Sequence, residues 1–271
     1  ACYDGLNQIN LARVNYEKAI ALKPDYSKAH FNLAGIFHEL EEYESSIQSY
    51  QYALMIDPNY AEANNNLGNV FRESSQIEES VKSFKKAIQI NPDYVEAHYS
   101  LGNSFQELGK FEEAVNHYEQ ALKIRPNLTG VLNNLGNIER EEGNLDRAKE
   151  LLNNVLRLNP NFLEAKLNLA ITLDALDEFN QAEKLLRHLS EEKESVIGEV
   201  ALSQIYYRRG MHDIAIPRLK NLLPKKQLEG EIHHEIGTHL YKIKDYIAAI
   251  SHLNLASEFG YVIDQSWNIK A

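Results

Sequence analysis

Residues 98–126 read HYSLGNSFQELGKFEEAVNHYEQALKIRP, a stretch of small apolar side chains and large rings that ends in a proline. Similar residues recur in step on both sides of this stretch. Proline returns every 34 residues, at Pro24, Pro58, Pro92, Pro126 and Pro160. Self-similarity at a fixed period of this length is typical of stacked repeats, so we predict a chain built from repeated units.

Equivalent residues come into register when each proline is set at position 32 of a 34-residue unit. In five successive units, position 7 is leucine, positions 8 and 20 are small, and position 24 is bulky. At about 100° per helical residue, positions 3, 4, 7, 11 and 14 share one stripe, and positions 17, 20, 24, 27 and 28 share another. Each unit is therefore predicted to form two amphipathic helices. We expect a turn near position 15, where Gly109, Gly143 and Gly210 lie.

This pattern resembles the tetratricopeptide repeat. The signature of that family has a large residue at position 4, Leu-Gly at 7–8, an aromatic residue at 11 and 24, alanine at 20 and 27, and proline at 32. The resemblance implies an all-α fold, a right-handed superhelical solenoid of stacked antiparallel helix pairs. It also implies a concave inner surface, lined by the first helix of each unit, that holds extended peptide segments.

The register also divides the chain into repeats. We predict a partial repeat at 1–26, a degenerate repeat with a loop at 196–229, a repeat at 230–263, and the start of a further helix at 264–271, which contains Trp267. Five tetratricopeptide repeats are predicted between them, at 27–60, 61–94, 95–128, 129–162 and 163–195. Because the pattern begins and stops partway through a unit, we expect the chain to be an excerpt of a longer protein.

The pattern is weakest between residues 188 and 230. The other repeats end in apolar residues followed by a proline, but this one has a charged run at 191–194 instead. In addition, Pro217 falls inside a predicted second helix. Either the segment is a diverged repeat that still stacks, or residues 223–228 form a loop that joins two sub-stacks.

Composition narrows the classes of partner. The chain has 28 Lys and Arg against 39 Asp and Glu, a formal net charge of -11, which argues against a nucleic-acid ligand. No apolar run is long enough to cross a membrane. Cys2 is the only cysteine, so an internal disulfide is excluded and a reducing, cytoplasmic (intracellular) location is expected.

The sequence contains motifs that resemble catalytic or metal-binding sites but have the wrong spacing. His234 and His239 resemble a zinc-protease pair, but they are five residues apart, about 140° around a helix, and so point away from each other. His30, His98 and His233 occupy position 4, a packing position for large flat rings. We therefore expect no enzyme active site, no metal and no cofactor in this stretch.

Asparagine is unusually frequent on the face of the first helix that lies opposite its packing stripe, at positions 5, 6 and 9. Asparagine is a poor helix former, so its concentration there needs a reason. A side-chain amide offers both a donor and an acceptor, so a row of amides can pair with the backbone of a bound chain. The alternative is that these amides only tie neighbouring helices together. The predicted peptide-binding residues are Asn32, Asn65, Asn66, Asn69, Arg72, Asn103, Asn133, Asn134, Asn137, Arg140 and Asn168.

The amide row resembles the one in the repeat region of O-linked N-acetylglucosamine transferases, where amides hold the substrate backbone. The sequence thus favours a protein–protein interaction scaffold that binds an extended segment of a partner. An alternative is the substrate-recognition arm of a larger enzyme, glycosyltransferase-like, whose catalytic domain lies outside this chain. Self-association through the end repeats is a third interpretation.

Overall fold

The computed structural model describes residues 2–191, 195–225 and 228–261, which form fifteen α-helices and one short 3-10 helix. The chain divides into two compact units, Ala1–Ile138 and Glu139–Ala271. The predicted all-α solenoid of helix pairs is confirmed. The start of a helix predicted at 264–271, with Trp267, lies outside the described residues, as do 192–194 of the charged run.

The first unit holds seven helices and the start of an eighth. Their bounds are α1 Cys2–Leu22, α2 Ser27–Glu39, α3 Tyr43–Ile56, α4 Ala61–Glu73, α5 Ile77–Ile90, α6 Val95–Glu107, α7 Phe111–Ile124 and α8 Thr129–Glu141. Helix α2 packs against α3, α4 against α5, and α6 against α7. Each pair is joined by a tight turn, so its helices run antiparallel.

The second unit continues with the same alternation of helices. Their bounds are α9 Leu145–Leu158, α10 Leu163–Ala175, α11 Phe179–Glu191, α12 Ser195–Arg208, α13 His212–Lys220, the 3-10 helix Leu223–Lys225, α14 Glu229–Lys242 and α15 Tyr246–Glu258. Helix α13 is short and contains Pro217, as the sequence predicts. Its interior proline has no N–H to bond the carbonyl of residue 213, and the helix continues past it to Lys220.

The turn inside each repeat depends on one left-handed residue. The predicted turn glycines are confirmed, because Gly109, Gly143 and Gly210 have φ values of 68°, 85° and 70°. Four non-glycine residues take the same conformation at the equivalent position 15, namely Glu41, Ser75, Asp177 and Lys244. The turn geometry is thus common to all seven repeats whether or not glycine is present.

In two repeats a position-8 glycine lies in close contact with a position-24 ring. A Cβ atom added to Gly102 would lie 2.5 Å from the Tyr118 ring, and one added to Gly68 would lie 2.6 Å from the Phe84 ring. Both rings are fully buried. Tyr118 and Phe84 then pack with Leu101 and Phe105 in a single apolar cluster of the first unit. The small residue at position 8 therefore leaves the space that the large ring at position 24 fills.

We predict that Gly102→Ala destabilises the first unit although alanine favours helices. Overpacking of a filled core typically costs about 1–3 kcal/mol, which exceeds the gain of up to about 1 kcal/mol from helix propensity. The matched control is Gly35→Ala, whose added Cβ would meet only the Tyr50 hydroxyl, at 3.8 Å. Denaturant unfolding should show a loss for G102A and no loss for G35A. Equal effects of the two changes would contradict the close approach.

Candidate functional site

The predicted site residues lie on the first helices of successive repeats. In the first unit Asn32 lies on α2, Asn103 on α6, the group Asn65, Asn66, Asn69 and Arg72 on α4, and the group Asn133, Asn134 and Asn137 on α8. Arg140 and Asn168 belong to the second unit. We use the name amide face for the part of this set whose side chains are partly exposed in the first unit, namely Asn32, Asn66, Asn69, Arg72, Asn103, Asn134 and Asn137.

Two of the predicted asparagines lie beneath that surface. Asn65 is 5% exposed and Asn133 is 6% exposed, so both sit in the packing layer between helices. The Asn65 amide donates to Asn66 Oδ1 at 3.3 Å, while its own Oδ1 is buried without a hydrogen-bond partner among the described residues. Both are therefore less accessible than the amide face, and their predicted contact with a partner stays a prediction.

A buried phenol organises the centre of the amide face. Tyr118 Oη lies 2.7 Å from Asn103 Oδ1 and 2.8 Å from Gln106 Oε1, and Asn134 Nδ2 donates to Asn103 Oδ1 at 2.9 Å. A phenol has one hydrogen, so it can donate to only one of these oxygens. If the Gln106 amide is rotated by 180° so that its nitrogen and oxygen exchange places, Nε2–H donates to the phenol oxygen. The phenol then donates to Asn103 Oδ1, and all three hydrogen bonds form. Burial raises the pKa of Tyr118, so the phenol remains protonated.

The same link recurs one pair of repeats earlier. Asn66 hydrogen-bonds the buried hydroxyl of Tyr50, and burial raises the pKa of that tyrosine to about 12. Tyr50 and Tyr118 hold position 24, and the asparagines hold position 6 of the next repeat. The intervening repeat carries Phe84, which has no hydroxyl, and Ser100 follows it at position 6. This pairing of residue types is visible in the sequence when position 24 is compared with position 6 of the next repeat, but helical periodicity alone did not indicate it.

Arg72 is engaged in an ion pair that the repeat pattern does not predict. Its Nη1 donates to Glu107 Oε1 at 2.9 Å, whereas its Nε is buried and has no hydrogen-bond partner in the described part of the chain. His38 Nε2 and Glu73 Oε2 make the equivalent contact at 2.7 Å, with the same offset of 35 residues. In the second unit, Arg140 lies 3.6 Å from Glu141, and Asn168 makes contacts within the fold.

A polar cleft of about 380 Å³ opens in the first unit, lined by Arg72, Asn103, Gln106, Glu107 and Asn134. The described contacts of Asn103 use its oxygen alone, so its two amide hydrogens remain for a ligand or water. The oxygen of Asn134 and the Glu107 carboxylate offer acceptors. Donors and acceptors held side by side in this way can pair with the N–H and C=O groups of a peptide.

Comparison with known sequences identifies the repeats. A TPR repeat family matches residues 35–74 and 68–109, and tetratricopeptide repeat families match 2–26, 95–128 and 139–196. The chain belongs to the tetratricopeptide repeat family. A search of curated proteins found no match.

Solved tetratricopeptide repeat structures show the same fold. A tetratricopeptide repeat protein from Parabacteroides merdae is 18% identical, with a TM-score of 0.76 over 87% of this chain and 93% of that one. PilF of Pseudomonas aeruginosa is 21% identical, with a TM-score of 0.62 over 74% and 91% of the two chains. YrrB, described as a TPR protein with an unusual peptide-binding site, is 24% identical, with a TM-score of 0.55 over 64% and 89%. The family makes this chain a protein-interaction scaffold, of a fold that is in general not catalytic.

Two further findings concern membrane-spanning helices and metal-binding sites. None of the described helices combines the length and the apolar character needed to cross a bilayer. Across the described ranges, no three His, Cys, Asp or Glu side chains converge in a way that could hold a metal ion. His239 Nδ1 lies 2.8 Å from His212 Nδ1, whereas His234 Nδ1 is buried without a hydrogen-bond partner among the residues described.

Position-4 histidines pack within the tetratricopeptide stack, as predicted. His98 Nε2 donates to the Pro92 carbonyl at 3.0 Å, which leaves His98 Nδ1 to accept from His117 Nδ1 at 3.1 Å. His233 and His252 form an equivalent pair at 2.8 Å. Burial, with help from His98 and Lys85, lowers the pKa of His117 to about 4.

We predict that the fold loses stability in mild acid because His117 resists protonation. Its folded pKa lies below the ordinary 6.5, so the unfolded chain binds the proton first and stability falls as pH drops from about 6.5 towards 4. Between pH 7.5 and 5 the loss from this residue should be about 1–2 kcal/mol. Denaturant unfolding of wild type and of His117→Phe should show a steeper pH dependence for wild type. Imidazole NMR signals that titrate near pH 6.5 for His117 would refute the prediction.

Proposed function

We propose that the chain binds an extended segment of a partner protein along the amide face, with the asparagine amides paired to the partner's backbone. The supporting observation is the Tyr118–Asn103–Asn134 network, which sets the orientation of two amides in a polar cleft and leaves their remaining donors and acceptors for a ligand. Amides fixed before binding lose little conformational entropy when a partner arrives. Because these amides would hydrogen-bond the partner's backbone, recognition depends on the extended conformation of the partner segment more than on its side chains.

The Arg72–Glu107 ion pair disfavours binding of a partner's terminal carboxylate at this site. Arg72 is paired with Glu107, and the acidic partner contributes a negative charge to the rim of the cleft. A free carboxylate arriving there would meet Glu107 at short range, whereas a neutral peptide group would not. This arrangement favours an internal segment of the partner over its C-terminus.

The test uses a peptide selected from a displayed library of unstructured peptides and then measured by fluorescence anisotropy. Asn66, Asn69, Asn134 and Asn137 replaced together by Ala should weaken binding at least about tenfold, since each amide bond contributes about 0.5–1.5 kcal/mol. The control Asn116→Ala makes the same change at an exposed position of α7 and should bind as wild type.

A second comparison separates ligand contact from stack cohesion. Tyr50→Phe with Tyr118→Phe breaks the phenol bonds to Asn66 and Asn134 but keeps every amide. We expect this double variant to lose stability and some affinity, but less affinity than the quadruple alanine variant, because the amides are no longer held in place yet remain available to a ligand. Equal loss of affinity in the double phenylalanine variant and the quadruple alanine variant would assign the amides to the stack. Wild-type affinity in the quadruple variant would exclude the amide face as the site.

A second candidate function is self-association through the last described helix. Ile247 on α15 is 87% exposed, and Ile250 and Tyr246 on the same helix are also exposed, so together they form an apolar surface. We predict that sedimentation velocity shows a concentration-dependent rise in mass, and that Ile247→Lys abolishes it. A monomer at all concentrations would exclude this function.

The alternative that the chain is the substrate-recognition arm of a larger enzyme stays a prediction, and the intact mass of the native protein tests it.

A further inference from the structure

The second unit carries a groove that the amide face does not involve. It has a volume of about 850 Å³ and runs between α9 and α11, which pack on either side of α10. Leu169 and Leu173 of α10 line its floor, and Leu185 of α11 adds to its apolar surface. An opening of this size, with apolar side chains at its base, is large enough to receive several side chains of another molecule.

The rims of the groove are basic although the chain as a whole is acidic. Lys149 stands on the α9 side, and Lys184 and Arg187 stand on the α11 side. Glu178 pairs with Lys149 and Glu183 pairs with Arg187, so the three cations face two carboxylates and Lys184 carries the excess positive charge. The formal net charge of the chain is -11, so this local excess of cations is opposite in sign to the rest of the molecule. Charge therefore favours an acidic occupant.

The groove already holds carboxylates of its own chain, which shows what its donors accept. Lys149 Nζ contacts both oxygens of Glu178 at 2.7 Å, and Gln181 Nε2 donates to the same carboxylate at 2.7 Å. Arg187 donates to Glu183 through both Nε and Nη2, at 3.0 and 2.6 Å. Although burial opposes it, hydrogen bonds from Tyr206 and Arg187 lower the pKa of Glu183.

We propose that this groove docks an acidic amphipathic helix of a partner protein. Apolar side chains one turn apart on that helix would enter the space above Leu169 and Leu173, as in helix-in-groove recognition. A glutamate on its flank would pair with Lys184, while Arg187, one turn further along α11, stays paired with Glu183. Apolar burial supplies most of the affinity, and the rim cations select the sign of the partner because exposed ion pairs are individually weak.

The probe is a fluorescent helical peptide of about 18 residues with leucine on one face and glutamate on both flanks, roughly five helical turns. A peptide with lysine in place of every glutamate, and a scrambled peptide of the same composition, serve as ligand controls. Wild type should bind the acidic peptide saturably and at least about tenfold more tightly than either control, a difference of about 1.4 kcal/mol. Equal binding of the acidic and basic peptides, or no saturable binding, would overturn the proposal.

Lys184→Glu should weaken binding of the acidic peptide at least about fivefold, because it replaces an attraction by a repulsion of similar size. The matched control is Lys82→Glu, the same charge change at an exposed lysine of the first unit, and it should leave affinity within about twofold. Unchanged affinity in K184E would remove the groove as the binding site.

Two further measurements separate this site from the others. The quadruple amide variant of the first unit should bind the acidic peptide as wild type does, so failure of one proposal leaves the other standing. If wild type self-associates in sedimentation and K184E abolishes that association, the occupant is a second copy of the chain and the proposal of an acidic partner helix fails.

Discussion

The structure depends on the contact between a position-8 glycine and the ring at position 24 of the same repeat. Gly102 lets the Tyr118 ring come within a distance that any Cβ atom would prevent, and Gly68 does the same for Phe84. The two helices of a repeat can therefore approach closely enough to bury a large ring completely. Since each repeat contacts mainly its neighbours, local packing between positions 8 and 24 takes the place of one central core.

The same ring connects packing to the candidate site. Once the Tyr118 ring is buried against Gly102, its hydroxyl emerges beneath Asn103 and Asn134, where it fixes two amides. The side chain thus has an apolar body in the core and a polar end at the surface. The two explanations offered for the asparagines are consequently not exclusive, because amides that bond across the stack are also amides held in place for a ligand.

The helical architecture could be predicted from the sequence because it follows from periodic positions, and α2, α4, α6, α8 and α10 begin at Ser27, Ala61, Val95, Thr129 and Leu163. Details that depend on neighbouring side chains could not be predicted in the same way. Glycine marked the turns at Gly109 and Gly143, but Ser75 and Lys244 adopt the same left-handed backbone because the surrounding helices impose it. Helical-wheel position alone did not distinguish buried Asn65 from its partly exposed neighbour Asn66. The groove beside α11 depends on the distance between α9 and α11, the second helices of two adjacent repeats. The pattern within a single repeat does not determine that distance.

The alternation of Tyr50–Asn66, Phe84–Ser100 and Tyr118–Asn134 has a consequence for how such a chain can grow. Copying 61–94 alone would place a second asparagine after Phe84, where no hydroxyl is present to receive it. Copying 61–128 would place the new asparagine after Tyr118 and preserve each link. Within 61–128, duplication of the pair of repeats therefore keeps the tyrosine–asparagine pairing, whereas duplication of 61–94 alone does not.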